Sequence, residues 1–303
     1  MTSKINWSGV FPAATTHFNA KGELDLVSNA KHLNAMLDAG IHGMVMLGTV
    51  GENNSLSFAE KLDVLEMAVK TIKKRVPVLT GVAETTTAGA IAFAQKAKQV
   101  GVDGIMLLPG MVYKSDPHET ITHFRAVAKA VDLPIMIYNN PVSYGIDVLP
   151  KQFQLLADLP NIVAIKESSE NPRRITDIIN IMGDRFTLFC GVDDLAFESI
   201  ALGAQGWISG LINAFPAENR LLWDLMMARR WDEALAVYRW YTPVLHLDTH
   251  SKLVQYIKLT QSECGFGNEV VRAPRLPITG VERDEVLAVI RKAIATRPSP
   301  IAV

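Results

Sequence analysis

Three residues of this chain have the type and setting for covalent carbonyl chemistry: Lys166, Tyr138 and Thr49. Lys166 closes the run Ile162-Val163-Ala164-Ile165 and opens the polar stretch Glu167-Ser168-Ser169. Apolar residues this rich in β-branching read as a short buried strand. At the mouth of such a strand a lysine loses hydration, which disfavours its ammonium form and frees the amine for Schiff-base chemistry. The plainer alternatives are a lysine that snorkels out of the strand end or one that pairs with Glu167. Tyr138 ends another apolar run, Pro134-Ile135-Met136-Ile137, ahead of Asn139-Asn140-Pro141. There it either packs in the core with its hydroxyl satisfied at the rim or, on a strand adjacent to Lys166, moves protons to and from a covalent intermediate. Thr49 lies in Gly48-Thr49-Val50-Gly51-Glu52-Asn53. Two glycines around a threonine let backbone N–H groups converge on an anion, with the hydroxyl as a further donor. That suits a substrate carboxylate, although a tight turn uses the same glycines. The spacing is not that of a dinucleotide-binding turn, and the loop lacks the lysine of a phosphate loop.

The elements that must position these residues recur along the chain. Apolar runs stand at 10–14, 43–48, 76–81, 104–109, 134–138, 162–165, 186–190 and 206–208. Helical patterns fall between them at 25–39, 57–73, 87–99, 117–130 and near 150–156, and Ser57 and Glu60 are spaced as a capping box. Gly40, Gly101 and Gly203 stand where helices stop before a strand. Eight strands alternating with helices predict an α/β fold, a closed (β/α)8 TIM barrel. The competing doubly wound sheet wants a glycine-rich turn after its first strand, and Phe11-Pro12-Ala13-Ala14-Thr15 offers none. Beyond about residue 213 the pattern becomes helical alone, at 217–229, 231–241, 252–264 and 282–296. The expected division is a barrel over 1–225 and a C-terminal helical extension over 226–303 packed on it, with Arg297-Pro298-Ser299-Pro300 as a frayed tail.

The 303 residues carry 30 basic and 31 acidic side chains for a net charge of −1, a balance that recommends neither nucleic acid nor an acidic membrane surface as partner. Hydrophobic residues make up 49% and charged residues 20%, as in ordinary globular chains. Cys190 and Cys264 stand far apart in sequence, which argues against a disulfide framework or a cysteine metal site. The opening Met1-Thr2-Ser3-Lys4-Ile5-Asn6-Trp7 has no apolar run of signal-peptide type, and no stretch approaches the roughly 20 apolar residues of a membrane helix. A cytoplasmic protein is expected. Two further clusters have ordinary explanations. His246 and His250 have the spacing of zinc ligands on a helix but lack the accompanying glutamate, so they read as surface or site-rim histidines. Asp193-Asp194 reads as the N-terminal cap of a helix over 195–202, Ser168 and Ser169 as caps or orienters of the lysine loop, and Ser209 as a pocket-lining residue.

Taken together, Gly48-Thr49-Val50-Gly51-Glu52, Tyr138-Asn139-Asn140-Pro141 and Lys166-Glu167-Ser168-Ser169 resemble the Schiff-base lyases that include dihydrodipicolinate synthase and N-acetylneuraminate lyase. The resemblance covers the whole barrel. It implies that Lys166 forms the Schiff base, that Tyr138 transfers protons and that Gly48, Thr49 and Val50 hold the substrate carboxylate. It also implies a homotetramer, a dimer of dimers, with no metal or organic cofactor. Against the synthase pattern, Val50 replaces a second threonine and Ser143 replaces an arginine that grips a second carboxylate. Tyr113 lies near the position of a tyrosine that crosses to the neighbouring subunit, in a loop one residue longer.

Within that family the chain looks most like the branch that deaminates Δ1-pyrroline-4-hydroxy-2-carboxylate to 2-oxoglutarate semialdehyde and ammonia in hydroxyproline breakdown. The stretches carrying that likeness are Trp7-Ser8-Gly9-Val10-Phe11-Pro12-Ala13, Asn140-Pro141-Val142-Ser143-Tyr144-Gly145, Cys190-Gly191-Val192-Asp193-Asp194 and His246-Leu247-Asp248-Thr249-His250. A single carboxylate on a cyclic imine needs one anion turn and no arginine, with Ser143 left to meet the distal end. The alternatives are a dehydratase or retro-aldolase of a 2-keto-3-deoxy sugar acid, a dihydrodipicolinate synthase-like aldolase and, outside the enzymes, a barrel that binds a keto acid.

Overall fold

The computed structural model describes residue 5 and residues 7–298, so most of the opening hexapeptide and the end of the proline-rich tail lie outside the described residues. Eight parallel strands form one sheet: β1 (Gly9–Pro12), β2 (Met44–Met46), β3 (Val78–Val82), β4 (Gly104–Leu107), β5 (Ile135–Asn139), β6 (Ile162–Glu167), β7 (Thr187–Cys190) and β8 (Gly206–Ser209). Each strand lies beside its neighbours in sequence, β1 pairs with β8, and a parallel bridge from Ala13 to Val45 closes the circle. Nearly every strand residue is buried, as expected where helices cover a parallel sheet from outside. This is the expected (β/α)8 barrel.

The helices on the barrel wall are α1 (Leu26–Asp38), α2 (Phe58–Ile72), α3 (Thr87–Val100), α4 (Pro117–Ala130), the single turn α5 (Pro141–Tyr144), α6 (Arg173–Met182), α7 (Ala196–Ala201) and α8 (Pro216–Met227). Ser57 and Glu60 do form a capping box at the start of α2, and Gly101 ends α3 in the left-handed region. The helix expected near 150–156 after β5 is present over Pro150–Leu156, wound as a 3-10 helix. The expected boundary at residue 225 falls within α8.

Past the barrel come α9 (Trp231–Leu245), α10 (Leu253–Glu263) and α11 (Gly280–Ala295). Tyr256, Leu259, Ile278, Val286, Leu287 and Ile290 make a small core of their own there. One fully buried ion pair ties α10 to the barrel: Lys258 Nζ lies 2.6 Å from Glu52 Oε1. Lys258 also donates to Val270 O at 2.6 Å, and Glu52 Oε2 accepts from Arg272 N at 3.0 Å. Burial pushes the Lys258 ammonium down, and Glu52 opposes that shift. Glu52 therefore serves as an anchor for the C-terminal helices although it follows the strand-two glycines. Among the described residues no helix is long and apolar enough to cross a membrane.

Candidate active site

Strand register brings the two principal candidates together. Tyr138 on β5 is paired with Lys166 on β6, and side chains on adjacent parallel strands at one register level point to the same face. Lys166 Nζ lies 4.0 Å from the centroid of the Tyr138 ring. Glu167, one residue on, points the other way, where Asn139 Nδ2 at 3.1 Å and Ser169 N at 2.8 Å donate to it. Burial raises its carboxyl above the usual range. The simple Lys166–Glu167 pairing thus fails because a strand alternates its faces.

Lys166 and Tyr138 line a cavity of about 450 Å³ at the C-terminal ends of the strands. This is the end of a (β/α)8 barrel where sites are built. Gly48, Thr49, Val50 and Ser143 line it as well. The turn is bracketed by Leu47 and Glu52, both left-handed at φ 55° and 54°, a backbone cost borne by non-glycine residues. Asn53 Nδ2 donates to Leu47 O at 2.8 Å and holds the turn in place. On the far wall, a Cβ at Gly191 would lie 2.6 Å from Lys166 Cε and 2.0 Å from Ser168 Oγ, so only glycine leaves the lysine room.

A second tyrosine, not singled out by its sequence context, completes this wall. The Tyr144 hydroxyl shares a hydrogen bond with Thr49 Oγ1. Its ring stands edge-on to Tyr138 with centroids 5.7 Å apart. Burial, reinforced by Tyr138, raises the Tyr144 phenol well above its ordinary value, while Thr49 opposes the shift. Asn140 Nδ2 donates to the Tyr138 hydroxyl at 3.0 Å. Thr49, Tyr144 and Tyr138 thus form a compact group of hydroxyls beside the lysine amine.

Several sequence-predicted residues have other duties. Ser209 is fully buried outside the cavity lining: it donates to Asp193 Oδ2 at 2.9 Å and accepts from Asn219 Nδ2 at 2.9 Å. Its neighbours Ile208 and Gly210 line the cavity instead. Asp193 caps no helix. It accepts from Trp207 Nε1, Ser209 Oγ and Leu211 N, clamping the end of β8, and burial lifts its carboxyl to about 6. Ser168 and Ser169 cap nothing either, since α6 starts after Pro172 without a side-chain cap. The Tyr113 hydroxyl donates to Glu119 on the exposed surface. His246 pairs with Asp194 at 2.7 Å, while His250 lines the cavity and stacks on Tyr256. His246 opens a 3-10 turn (His246–Thr249) and His250 follows it in extended conformation, so the two imidazoles do not share a helix face. Asp248, between them, lines the cavity too, and a lone acid carries no sequence pattern that marks it.

Comparison with known proteins agrees with this geometry. The model of the dihydrodipicolinate synthetase family matches residues 6–293. A 4-hydroxy-tetrahydrodipicolinate synthase from Exiguobacterium sibiricum is 35% identical over 272 residues, 90% of this chain and 92% of that protein. The crystal structure of dihydrodipicolinate synthase from Bacillus anthracis superposes with a TM-score of 0.92 at 28% identity, covering 97% of this chain and all of that one. YagE, a prophage protein of the dihydrodipicolinic acid synthase family from E. coli K12 solved in complex with pyruvate, gives 0.90 at 27% identity over 95% of this chain and 99% of its own. The relatives' names match the synthase-like alternative better than the deaminase expectation. With a family model spanning the barrel and the motifs gathered in one cavity, the chain belongs to the dihydrodipicolinate synthetase family.

Proposed function

We propose that this chain is a lysine Schiff-base enzyme that deaminates Δ1-pyrroline-4-hydroxy-2-carboxylate to 2-oxoglutarate semialdehyde and ammonia. The observation that carries this reading is the charge of the cavity. Its lining holds Lys166 and no arginine among the described residues, and it includes Ser143, which by the resemblance stands in place of the arginine that grips a second carboxylate. One turn, Gly48-Thr49-Val50, is available for one carboxylate, as a cyclic imine monocarboxylate requires.

In this reading Lys166 attacks the imine carbon, and opening of the ring leaves a lysine Schiff base with the former ring nitrogen as a free amine. Tyr138 removes a proton from carbon 3, and the resulting enamine expels the hydroxyl of carbon 4. Proton shifts move the double bond to the amine-bearing carbon. Two waters then hydrolyse the terminal imine and the lysine Schiff base, releasing ammonia and the keto acid. Tyr144 and Thr49 hold the phenol and pass its proton on. The reading includes the assembly that the resemblance implies, a homotetramer.

A second reading has its own support. The relative that is 35% identical is named a 4-hydroxy-tetrahydrodipicolinate synthase, and the same lysine and tyrosine would serve its condensation. The deciding experiment incubates the enzyme with the cyclic imine and assays ammonia, using Lys166→Ala as the blank. Ammonia absent from the blank supports deamination. If the wild type releases none yet still forms a borohydride-reducible adduct with pyruvate, the substrate belongs among the 2-keto acids of the second reading or the 2-keto-3-deoxy sugar acids.

A further inference from the structure

Asp248 is a cavity carboxyl that the lysine, the tyrosines and the anion turn leave without a task. It sits on the 3-10 turn His246–Thr249, between α9 and α10. Although the residue is only half-buried, its Oδ1 is buried and has no hydrogen-bond partner among the described residues. A buried carboxyl oxygen without a partner forfeits hydration for no return, and such a group calls for a reason. The barrel makes room for it: a Cβ at Gly210, just past β8, would lie 2.3 Å from Asp248 Oδ1 and 2.5 Å from Ile257 Cδ1. Gly210 has an ordinary backbone conformation, so close approach of this carboxyl accounts for the glycine better than backbone freedom does.

The electrostatic surroundings act on Asp248 from two elements. Burial is the largest influence and favours the neutral acid, and the Asp193 carboxyl on the turn after β7 acts in the same direction. Asp194 adds to this, while Lys166 on β6 opposes it. Two buried carboxyls that act on each other do not both ionise readily. The other groups of the lining are placed differently. Glu170 is exposed at the rim. His250 accepts from Lys252 N through Nδ1 at 3.1 Å and stacks on Tyr256. Asp248 is thus the buried carboxyl of the cavity lining, in the same chamber as Lys166.

We propose that Asp248 is the general acid that protonates the hydroxyl leaving carbon 4 of the lysine-bound substrate. This rests on the deaminase reading. After Tyr138 takes the carbon 3 proton, the enamine nitrogen of Lys166 pushes its electron pair toward carbon 3. The C4–O bond breaks, a double bond forms between carbons 3 and 4, and the departing oxygen takes the Asp248 proton and leaves as water. The Asp248 carboxylate is reprotonated from solvent before the next turnover. With a leaving-group acid distinct from the base, the two proton transfers fall to different residues and neither group has to serve both.

The test compares wild type with Asp248→Asn, which keeps the shape and removes the acid. Ammonia release from the cyclic imine is measured alongside exchange of pyruvate methyl protons with deuterium oxide, which needs the lysine and the tyrosine but no leaving-group acid. The expected result is a loss of about 100-fold or more in ammonia release, with pyruvate exchange within a few-fold of wild type and partial rescue by Asp248→Glu. Ammonia release within about threefold of wild type in Asp248→Asn overturns the assignment and leaves the deaminase reading intact. Exchange lost in parallel with ammonia also overturns it, because Asp248 would then be holding the site together. No ammonia from wild type that exchanges pyruvate removes the deaminase reading, and this role for Asp248 with it.

Discussion

The hydroxyls of Thr49 and Tyr144, 95 residues apart in the chain, share a hydrogen bond beside the Tyr138 ring. One comes from the turn after β2 and the other from the single helical turn after β5, so the contact joins loops of two strands that are not neighbours in the barrel. Tyr144→Phe keeps the ring packed on Tyr138 and removes only the hydroxyl. Turnover is expected to fall about tenfold or more, with the borohydride-trapped pyruvate adduct still formed. Unchanged turnover would reduce Tyr144 to a packing residue.

Lys166→Ala is expected to abolish both turnover and the trapped adduct. Its side chain is buried over the Tyr138 ring and is not part of the buried Glu52–Lys258 anchor, so the circular dichroism spectrum should stay that of the wild type. Mass spectrometry of borohydride-treated protein reads the adduct directly, and an adduct surviving in the variant would place the Schiff base on another lysine.

Ser143→Arg adds a second cation to a cavity lined by one. No gain in ammonia release from the monocarboxylate imine is expected, since that substrate has no second carboxylate for a guanidinium to grip. A marked rise in kcat/KM would show that the distal pocket meets an anion.

Glu52→Gln leaves the Lys258 ammonium buried without its counter-charge. The cost is expected to be roughly 3–5 kcal/mol, read as a lower denaturation midpoint. The double variant Glu52→Gln/Lys258→Met removes both charges and should recover much of that loss. If the double variant is no more stable than Glu52→Gln, the ion pair is not what holds α10 to the barrel.

Acid should destabilise the fold through a buried histidine pair. His17 Nε2 lies 3.0 Å from His32 Nδ1, and His32 Nε2 lies 2.8 Å from Asn213 O. Burial first, then the neighbouring His32, hold His17 down at about 3, and burial holds His32 at about 4. Both are neutral in folded and unfolded chains above the ordinary histidine value, so stability there is unaffected by them. As pH falls below about 6.5 the unfolded chain takes up protons that the folded one refuses, and stability is lost until pH reaches the folded values. Each histidine accounts for about 2 kcal/mol at pH 5. Denaturant titrations at pH 7 and pH 5 check this, and His32→Gln should flatten the difference.

The sequence alone determined the barrel and pointed to Lys166, Tyr138 and Thr49 at its strand ends. Each apolar run followed by a helical pattern is a local signal, and a residue's place at the end of a strand is local as well. Lys166, Tyr138 and the Gly48-Thr49-Val50 turn were therefore legible one by one. What no single stretch contained was which side chains meet. Ser209 faces away from the cavity and Glu167 away from Lys166 because strand faces alternate, and Glu52 is drawn to a lysine 206 residues later. Tyr144 and Asp248 gain their settings from closure of the barrel and from the turn that connects α9 to α10. A tyrosine in a loop and a lone aspartate carry no periodicity. Burial, register and the room left by Gly191 and Gly210 decided their surroundings, and these are properties of the assembled structure.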